Sequence, residues 1–197
     1  MKIGMRRLHL FILLFAVSSL LFHPPSDFEA FAATSDGSVD STVEINDYTT
    51  NGPVLTNSDY FGISVANIGD LDGDGVNDLA VGAYSDDAGG LNSGTVHIMF
   101  MNIDGTVKST KEINRTEPNG PTLDNKDDFG FSIANIGDLD GDGVNDLAVG
   151  AYNDDMDEDG NANSGSTAIN RGAVHIIFMN TDGSIKEAKE INDYTAN

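Results

Sequence analysis

The chain has 197 residues, enough for one ordinary domain or a few small repeats. Acidic residues outnumber basic residues by 32 to 10, and the formal net charge is -22. This charge argues against nucleic acid as a partner, because phosphate binding needs clustered lysine and arginine. Hydrophobic residues make up 39% of the chain and alternate inside short segments, which argues against disorder. The chain has no cysteine, so its stability does not depend on disulfides.

The N-terminus has the layout of a secretory signal. A segment with three basic residues, 2–7, precedes an apolar run, 8–22, which is short for a membrane span of about 20 residues. An Ala-Phe-Ala sequence at 30–32 offers a cleavage site of the small-x-small type. We therefore expect a signal peptide at 1–32 and a secreted or cell-surface mature chain without a transmembrane span. An uncleaved membrane anchor is the alternative.

The chain contains an internal repeat. The sixteen residues GDLDGDGVNDLAVGAY occur at 69–84 and again at 137–152, an offset of 68 residues. Downstream, a Gly-x-Val-His-Ile segment at 94–98 recurs at 172–176, an offset of 78 residues. The second copy therefore carries ten extra residues, which fall within 153–171. Tandem copies of this length predict a repeat architecture.

Each copy has the pattern of four short β-strands. In the first copy the expected strands cover 63–68, 79–84, 96–100 and 106–113. An Asp-Gly pair at 104–105 marks the hairpin turn before the last of them. No helical period occurs in the mature chain. The sequence thus predicts an all-β protein whose four-stranded antiparallel units stack as β-propeller blades, because one blade cannot bury both of its faces alone.

Three short elements in each copy resemble the FG-GAP repeat, the unit of the integrin alpha-subunit β-propeller and of many secreted microbial proteins. In the first copy they are Phe61-Gly62, the acidic loop 70–78 and Gly82-Ala83-Tyr84, and in the second they are 129–130, 138–146 and 150–152. The resemblance covers roughly 58–192, with tyrosine in place of the usual proline of the GAP element. It implies propeller blades in an incomplete ring, since the family closes about seven blades.

The repeats divide the chain into segments. The expected division is a signal peptide at 1–32, an N-terminal segment at 33–57 with the outer strand of a preceding repeat, a first repeat at 58–114, a linker at 115–125, a second repeat at 126–192 with an acidic insertion at about 153–171, and the start of a further unit at 193–197. Val43–Asn46 and Lys189–Asn192 have the pattern of the same edge strand. We therefore expect either further repeats in a longer parent chain or self-association that closes the ring.

The acids of each repeated loop stand at relative positions 1, 3, 5 and 9. Ca²⁺ takes six to eight oxygen ligands, and a tight loop with alternate carboxylates can surround it. Position 7 would add its backbone carbonyl while its side chain packs inward. The expected ligands are Asp70, Asp72, Asp74, Val76 and Asp78 in the first loop, and Asp138, Asp140, Asp142, Val144 and Asp146 in the second.

Other interpretations of the loops fit the sequence less well. An EF-hand needs a glutamate at position 12 and flanking helices, whereas Val81 and Val149 stand at that position between β-like flanks. Mg²⁺ is disfavoured because it keeps several waters. A solvated acidic turn without metal is the structural alternative. A third, weaker candidate loop contains Asp155, Asp157 and Asp159, with Asn163 at position 9, and its alternative is an acidic surface loop.

The sequence shows no combination of a nucleophile and a base. It has no GxSxG motif and no cysteine, and His97 and His175 occupy equivalent strand positions that indicate packing. We therefore expect a non-enzymatic, calcium-binding adhesion or ligand-binding module, and the resemblance to integrin alpha implies protein or glycan ligands. The alternatives are an accessory propeller of a larger secreted hydrolase or lyase, and a purely structural repeat of the cell envelope.

Overall fold

The computed structural model describes residue 39 and residues 41–154 and 171–192. The expected signal peptide, most of the acidic insertion and residues 193–197 lie outside these ranges. The described part of the chain is all β, as the sequence predicts. It contains no helix that is long and apolar enough to cross a membrane.

Eight strands form two antiparallel sheets of four strands each, and neighbours in sequence are neighbours in each sheet. The first sheet contains β1 (Ser64–Gly69), β2 (Asp78–Ala83), β3 (Thr95–Met101) and β4 (Val107–Ile113), and the second contains β5 (Phe129–Gly137), β6 (Asp146–Ala151), β7 (Ala173–Met179) and β8 (Ile185–Ile191). The expected fold class is confirmed: the sheets are tandem blades, and the described residues do not close a ring.

The strands differ in burial according to their place in each sheet. All seven residues of β3 are buried, as expected for a central strand that is covered on both faces. β4 has a buried residue at each end and exposed or half-buried polar residues between them. β4 and β8 lie at a sheet edge, where charged side chains such as Lys108 and Lys186 discourage pairing with another chain.

One hydrophobic core lies between the two sheets. Residues of β3 and β4 pack in the same cluster as residues of β6 and β7. Its members from the first sheet and the linker are Ile68, Leu71, Ala80, Val96, Ile98, Phe100, Ile113 and Leu123, and its members from the second are Phe129, Leu147, Val149, Ala151, Ile177, Met179 and Ile185. A smaller cluster on the other face of the first sheet contains Val81, Met99, Met101 and Val107.

The Phe-Gly pair of the second repeat joins it to the first. Phe129 is fully buried and forms a parallel bridge with Gly94. The hydroxyl of Ser64 donates a hydrogen bond of 2.7 Å to the carbonyl of Gly130. Since Gly94 lies at the entry to β3 and Ser64 begins β1, this pair contacts two strands of the first sheet.

Two segments differ from the sequence-based expectation. Val43–Asn46 is not a strand, so the prediction of an edge strand there is wrong, whereas Lys189–Ile191 does belong to β8. An extended segment needs a neighbour to pair with, and no strand among the described residues pairs with Val43–Asn46. Phe61-Gly62 lies in a turn before β1, while the equivalent Phe129-Gly130 already belongs to β5.

Equivalent faces of the two sheets differ in exposure. Val96 and Ile113 are 0% and 1% exposed because the second sheet covers them. Their equivalents in the second repeat, Val174 and Ile191, are 42% and 49% exposed. The second sheet therefore presents to solvent the face that the first sheet buries in the core.

Candidate metal centres in the two hairpin loops

The repeated acidic segments form the loops that join β1 to β2 and β5 to β6. The first acid of each loop organises its backbone. One oxygen of Asp70 accepts hydrogen bonds from the amides of Gly73 (2.8 Å) and Asp74 (3.0 Å), and the other accepts one from Gly75 (2.8 Å). Gly73 and Gly75 have φ values of +78° and +91°, a region that side chains with a Cβ rarely adopt. Glycine thus lets three consecutive amides turn towards one carboxylate.

Asp138 organises the second loop in the same way. Its oxygens accept hydrogen bonds from Gly141 (2.7 Å), Asp142 (3.0 Å) and Gly143 (2.9 Å). The agreement between the two loops within 0.1 Å follows from their identical sequences. The hydrogen bonds around the first acid of each loop are therefore local to the loop.

The last acid of each loop is buried at the start of the next strand. Asp78 is 1% exposed, and its two oxygens accept hydrogen bonds from the amides of Leu71 (2.8 Å) and Met101 (3.0 Å). Asp146 makes the equivalent bonds to Leu139 (2.9 Å) and Met179 (3.1 Å). Burial raises the pKa of Asp78, and the two amides that donate to it oppose this increase.

Three of the four acids in each loop converge. One carboxylate oxygen from each of Asp70, Asp72 and Asp78 lies within 4.8 Å of the others, and the same holds for Asp138, Asp140 and Asp146. A donor set made only of carboxylate oxygens suits a hard cation such as Ca²⁺, and not a soft transition metal. The residues present therefore fit the ion that the sequence predicts.

The third acid of each loop, Asp74 or Asp142, is not among the three converging carboxylates and pairs with a lysine. Lys108 on β4 lies 2.6 Å from both Asp72 and Asp74. These ion pairs lower the pKa of Asp74, with the hydrogen bond from Lys108 as the largest cause, and they raise the pKa of Lys108.

The second repeat has the same pairing. Lys186 on β8 lies 2.6 Å from Asp140 and 2.7 Å from Asp142. Neither lysine was among the expected site residues. Their recurrence at matching positions of the two repeats is a sequence signal, but Lys111 and Lys189 recur in the same way, so only the structure distinguishes the two pairs.

The valines at position 7 take the expected packing position. The amide of Val76 donates a 2.9 Å hydrogen bond to Asp74, and its side chain packs against the smaller core cluster. Val144 makes the same bond to Asp142, and its side chain packs against the core between the sheets. The third candidate loop, with Asp155, Asp157 and Asp159, lies outside the described residues.

The two histidines pack inside the blades. His97 is fully buried, and its Nε2 lies 3.4 Å from the buried carboxylate of Asp86. The rings of Phe61 and His97 form a T-shaped contact with a centroid distance of 5.4 Å. In the second repeat His175 lies 3.2 Å from Asp154. Because both rings are shielded from solvent, these pairs belong to the core of each blade.

A line of contacting aromatic rings crosses both repeats. Successive centroids lie 5.2 Å apart from Tyr60 to Tyr84, 5.6 Å from Tyr84 to Phe131 and 4.6 Å from Phe131 to Tyr152. Tyr60, Phe131 and Tyr152 are 58%, 42% and 47% exposed. These four rings are the aromatic surface that the two repeats build together.

Two segments of the chain match a known protein family. The FG-GAP repeat family model matches residues 61–99 and 129–169, and each match begins at the phenylalanine of a Phe-Gly pair. Both matches include the acidic loop of their repeat.

Curated relatives are integrin alpha subunits. Integrin alpha-PS2 of Drosophila melanogaster is 36% identical over 96 residues, or 49% of this chain and 7% of the relative. Integrin alpha pat-2 of Caenorhabditis briggsae is 40% identical over 93 residues (47% and 7%), and integrin alpha-6 of Homo sapiens is 37% identical over 102 residues (51% and 8%). The chain thus matches only a small part of the length of these relatives. Two segments of the chain therefore match the FG-GAP repeat, and about half of its length is similar to integrin alpha subunits.

Proposed function

We propose that each hairpin loop binds one Ca²⁺ and that the chain is a secreted or cell-surface, non-catalytic ligand-binding module. The observation that carries the metal assignment is the convergence of three carboxylates in each loop. The proposed ligands are the side chains of Asp70, Asp72, Asp74 and Asp78 with the carbonyl of Val76, and the side chains of Asp138, Asp140, Asp142 and Asp146 with the carbonyl of Val144.

The hydrogen bonds inside the loops are compatible with this role. A carboxylate oxygen has two lone pairs, so an oxygen of Asp78 or Asp70 can accept an amide and also contact a cation. The amides hold these carboxylates in position before any ion arrives. A bound Ca²⁺ would offset the repulsion among the loop carboxylates and thereby stabilise the hairpin that carries them.

The similarity to integrin alpha subunits supports a role in adhesion or ligand binding. The exposed line of aromatic rings offers contact area of the kind found at protein interfaces. We assign no catalytic role, because the buried histidines face carboxylates inside the blades and the loop acids are assigned to metal. The basic and apolar segments at the N-terminus support export, where Ca²⁺ is abundant.

Calorimetric titration with Ca²⁺ tests the metal assignment. We expect about two sites per chain in the weak range of extracellular modules, roughly 10⁻⁴ to 10⁻³ M. Saturation should raise the melting temperature, since an ion at 100 times its dissociation constant adds about 2.7 kcal/mol per site to the free energy of unfolding.

Variants assign each site to its loop. Asp72→Ala should remove the first site and Asp140→Ala the second, because each deletes one converging carboxylate. Asp104→Ala is the control, since it removes an equally charged side chain at a hairpin turn outside both loops. A folded chain whose melting temperature does not respond to Ca²⁺ would contradict the metal assignment and favour the alternative of an acidic turn without metal.

A further inference from the structure

Each candidate metal loop is paired with one lysine from the outer strand of its own blade. Lys108 and Lys186 follow the first residue of β4 and β8, and each ammonium group bridges the acids at positions 3 and 5 of its loop. The four distances fall between 2.6 and 2.7 Å. The lysine side chains are 41% and 42% exposed, so they can leave the loop for solvent without disturbing the core.

We propose that Lys108 and Lys186 are tethered counter-ions that hold the loops closed without metal and weaken their affinity for a divalent cation. This inference rests on the proposed function, because it concerns the same loops. It adds two residues, both outside the loop sequences, that set the cation concentration at which the loops fill.

The ammonium group and the metal compete for the acid at position 3. Asp72 belongs to the converging group and also pairs with Lys108. The same carboxylate would therefore contact both the ammonium group and the metal ion. Asp74 remains outside the converging group while its Oδ2 accepts from Lys108 and its Oδ1 accepts from Val76. A metal that recruits Asp74 therefore shares this carboxylate with the lysine, and the two positive charges repel each other at short range.

Electrostatics gives the direction and size of the effect. A unit positive charge about 5 Å from a divalent cation, in a solvent-like dielectric, reduces the affinity for that cation by roughly tenfold. Without metal the same charge offsets the repulsion among the loop carboxylates. The lysine thus favours the folded loop at low Ca²⁺ and opposes filling of the site.

The neighbouring lysines show that this pairing is specific to two positions. Lys111, three residues further along β4, pairs instead with Asp182 at 3.1 Å. Lys189 on β8 pairs with Glu187 at 3.4 Å and lies over the ring of Phe178. These lysines are therefore matched controls, because they carry the same charge on the same strands and contact neither loop.

The test isolates the first loop in an Asp140→Ala background, which removes a converging carboxylate of the second loop. Lys108→Met keeps the length of the aliphatic chain and deletes the charge. We expect it to tighten Ca²⁺ binding about tenfold and to lower the melting temperature of the metal-free chain by roughly 3 °C. Lys111→Met should change the dissociation constant less than twofold, and Lys108→Arg should stay close to the parent because it retains the charge.

The two readouts separate this inference from the proposed function. An unchanged or weaker Ca²⁺ affinity in Lys108→Met, with binding intact in the parent, would overturn the counter-ion role and leave the metal assignment standing. Binding that appears only after Lys108→Met would support the inference strongly. If neither chain binds Ca²⁺, both the metal assignment and the proposed competition fail.

Discussion

Acids of the same loop have different tasks at the scale of single residues. Asp70 shapes the backbone through three amides, Asp78 fixes the loop to the buried strands, and Asp72 and Asp74 pair with a lysine. Spacing alone assigns all four acids to one shell of ligands. The separate tasks depend on the amides and the lysine that approach each carboxylate, of which Met101 and Lys108 lie outside the loop.

The hairpin turn of the second repeat provides a pH-dependent test at this scale. The hydroxyl and amide of Ser184, with a smaller effect from Lys111, lower the pKa of Asp182 to about 2. Since the folded-state pKa is lowered, the stabilisation by Asp182 is present above its unfolded pKa of about 4 and is lost as the pH falls towards 2. We expect an NMR titration to show this low pKa.

Variants of the same turn separate the causes. Ser184→Ala should raise the pKa of Asp182 more than Lys111→Met does, because the hydroxyl of Ser184 is the largest cause of the low pKa and the ion pair is exposed to solvent. Asp104, which accepts from Thr106 at the equivalent turn, serves as the internal reference. A pKa of Asp182 near 4 in the parent chain would contradict the turn geometry.

At the scale of elements, glycine determines how closely the second repeat approaches the first. A Cβ on Gly82 would overlap the carbonyl oxygen of Gly130 and the hydroxyl of Ser64. At the equivalent Gly150, a Cβ would meet only the hydroxyl of Ser132, which can rotate away. The two glycines occupy the same position of identical strands, so only the neighbouring blade distinguishes them.

This difference leads to a matched pair of substitutions. Gly82→Ala should reduce the free energy of unfolding by about 1–3 kcal/mol, because backbone atoms of the next blade must move. Gly150→Ala should change it by less than about 1 kcal/mol, since it also restricts the unfolded chain. Urea unfolding of both variants measures the difference. Equal effects would show that the contact between Gly82 and Gly130 does not limit the approach of the blades.

At the scale of the whole molecule, the two repeats share a core but are not equivalent. The second sheet covers one face of the first and leaves its own corresponding face exposed. Exposed apolar faces of this kind are sites of association. The expectation of further repeats or self-association therefore has a defined surface, which includes Ile136, Leu139, Val174 and Ile191.

We expect the purified chain to self-associate in a concentration-dependent manner through this surface. Val174→Glu should shift the equilibrium towards the monomer, because it places a charge in the centre of an apolar contact. Ile103→Glu is the control, since Ile103 is 70% exposed at a hairpin tip outside this face. Light scattering over a range of concentrations measures the effect. A parent chain that stays monomeric throughout would contradict this expectation.

Much of the fold and site was accessible from the sequence because the information is local. Alternating apolar residues and the turn signals predict four strands per repeat, and the structure confirms them with small shifts at their ends. The positions of the acids and glycines within each loop are sufficient to predict a compact acidic turn. The prediction of a strand at Val43–Asn46 is wrong, because a strand depends on a partner that its own residues do not specify.

The two identical sixteen-residue copies separate these contributions. Their sequence alone determines the hairpin, the loop and its hydrogen bonds, which agree closely between the copies. Only the tertiary structure decides that Leu71 is 5% exposed while Leu139, at the same position, is 58% exposed. The pairing of each loop with a lysine from a distant strand is also tertiary. The physical reason is the same in both cases: hydrogen bonds within a turn depend on near neighbours, whereas burial and ion pairing depend on what the folded chain brings alongside.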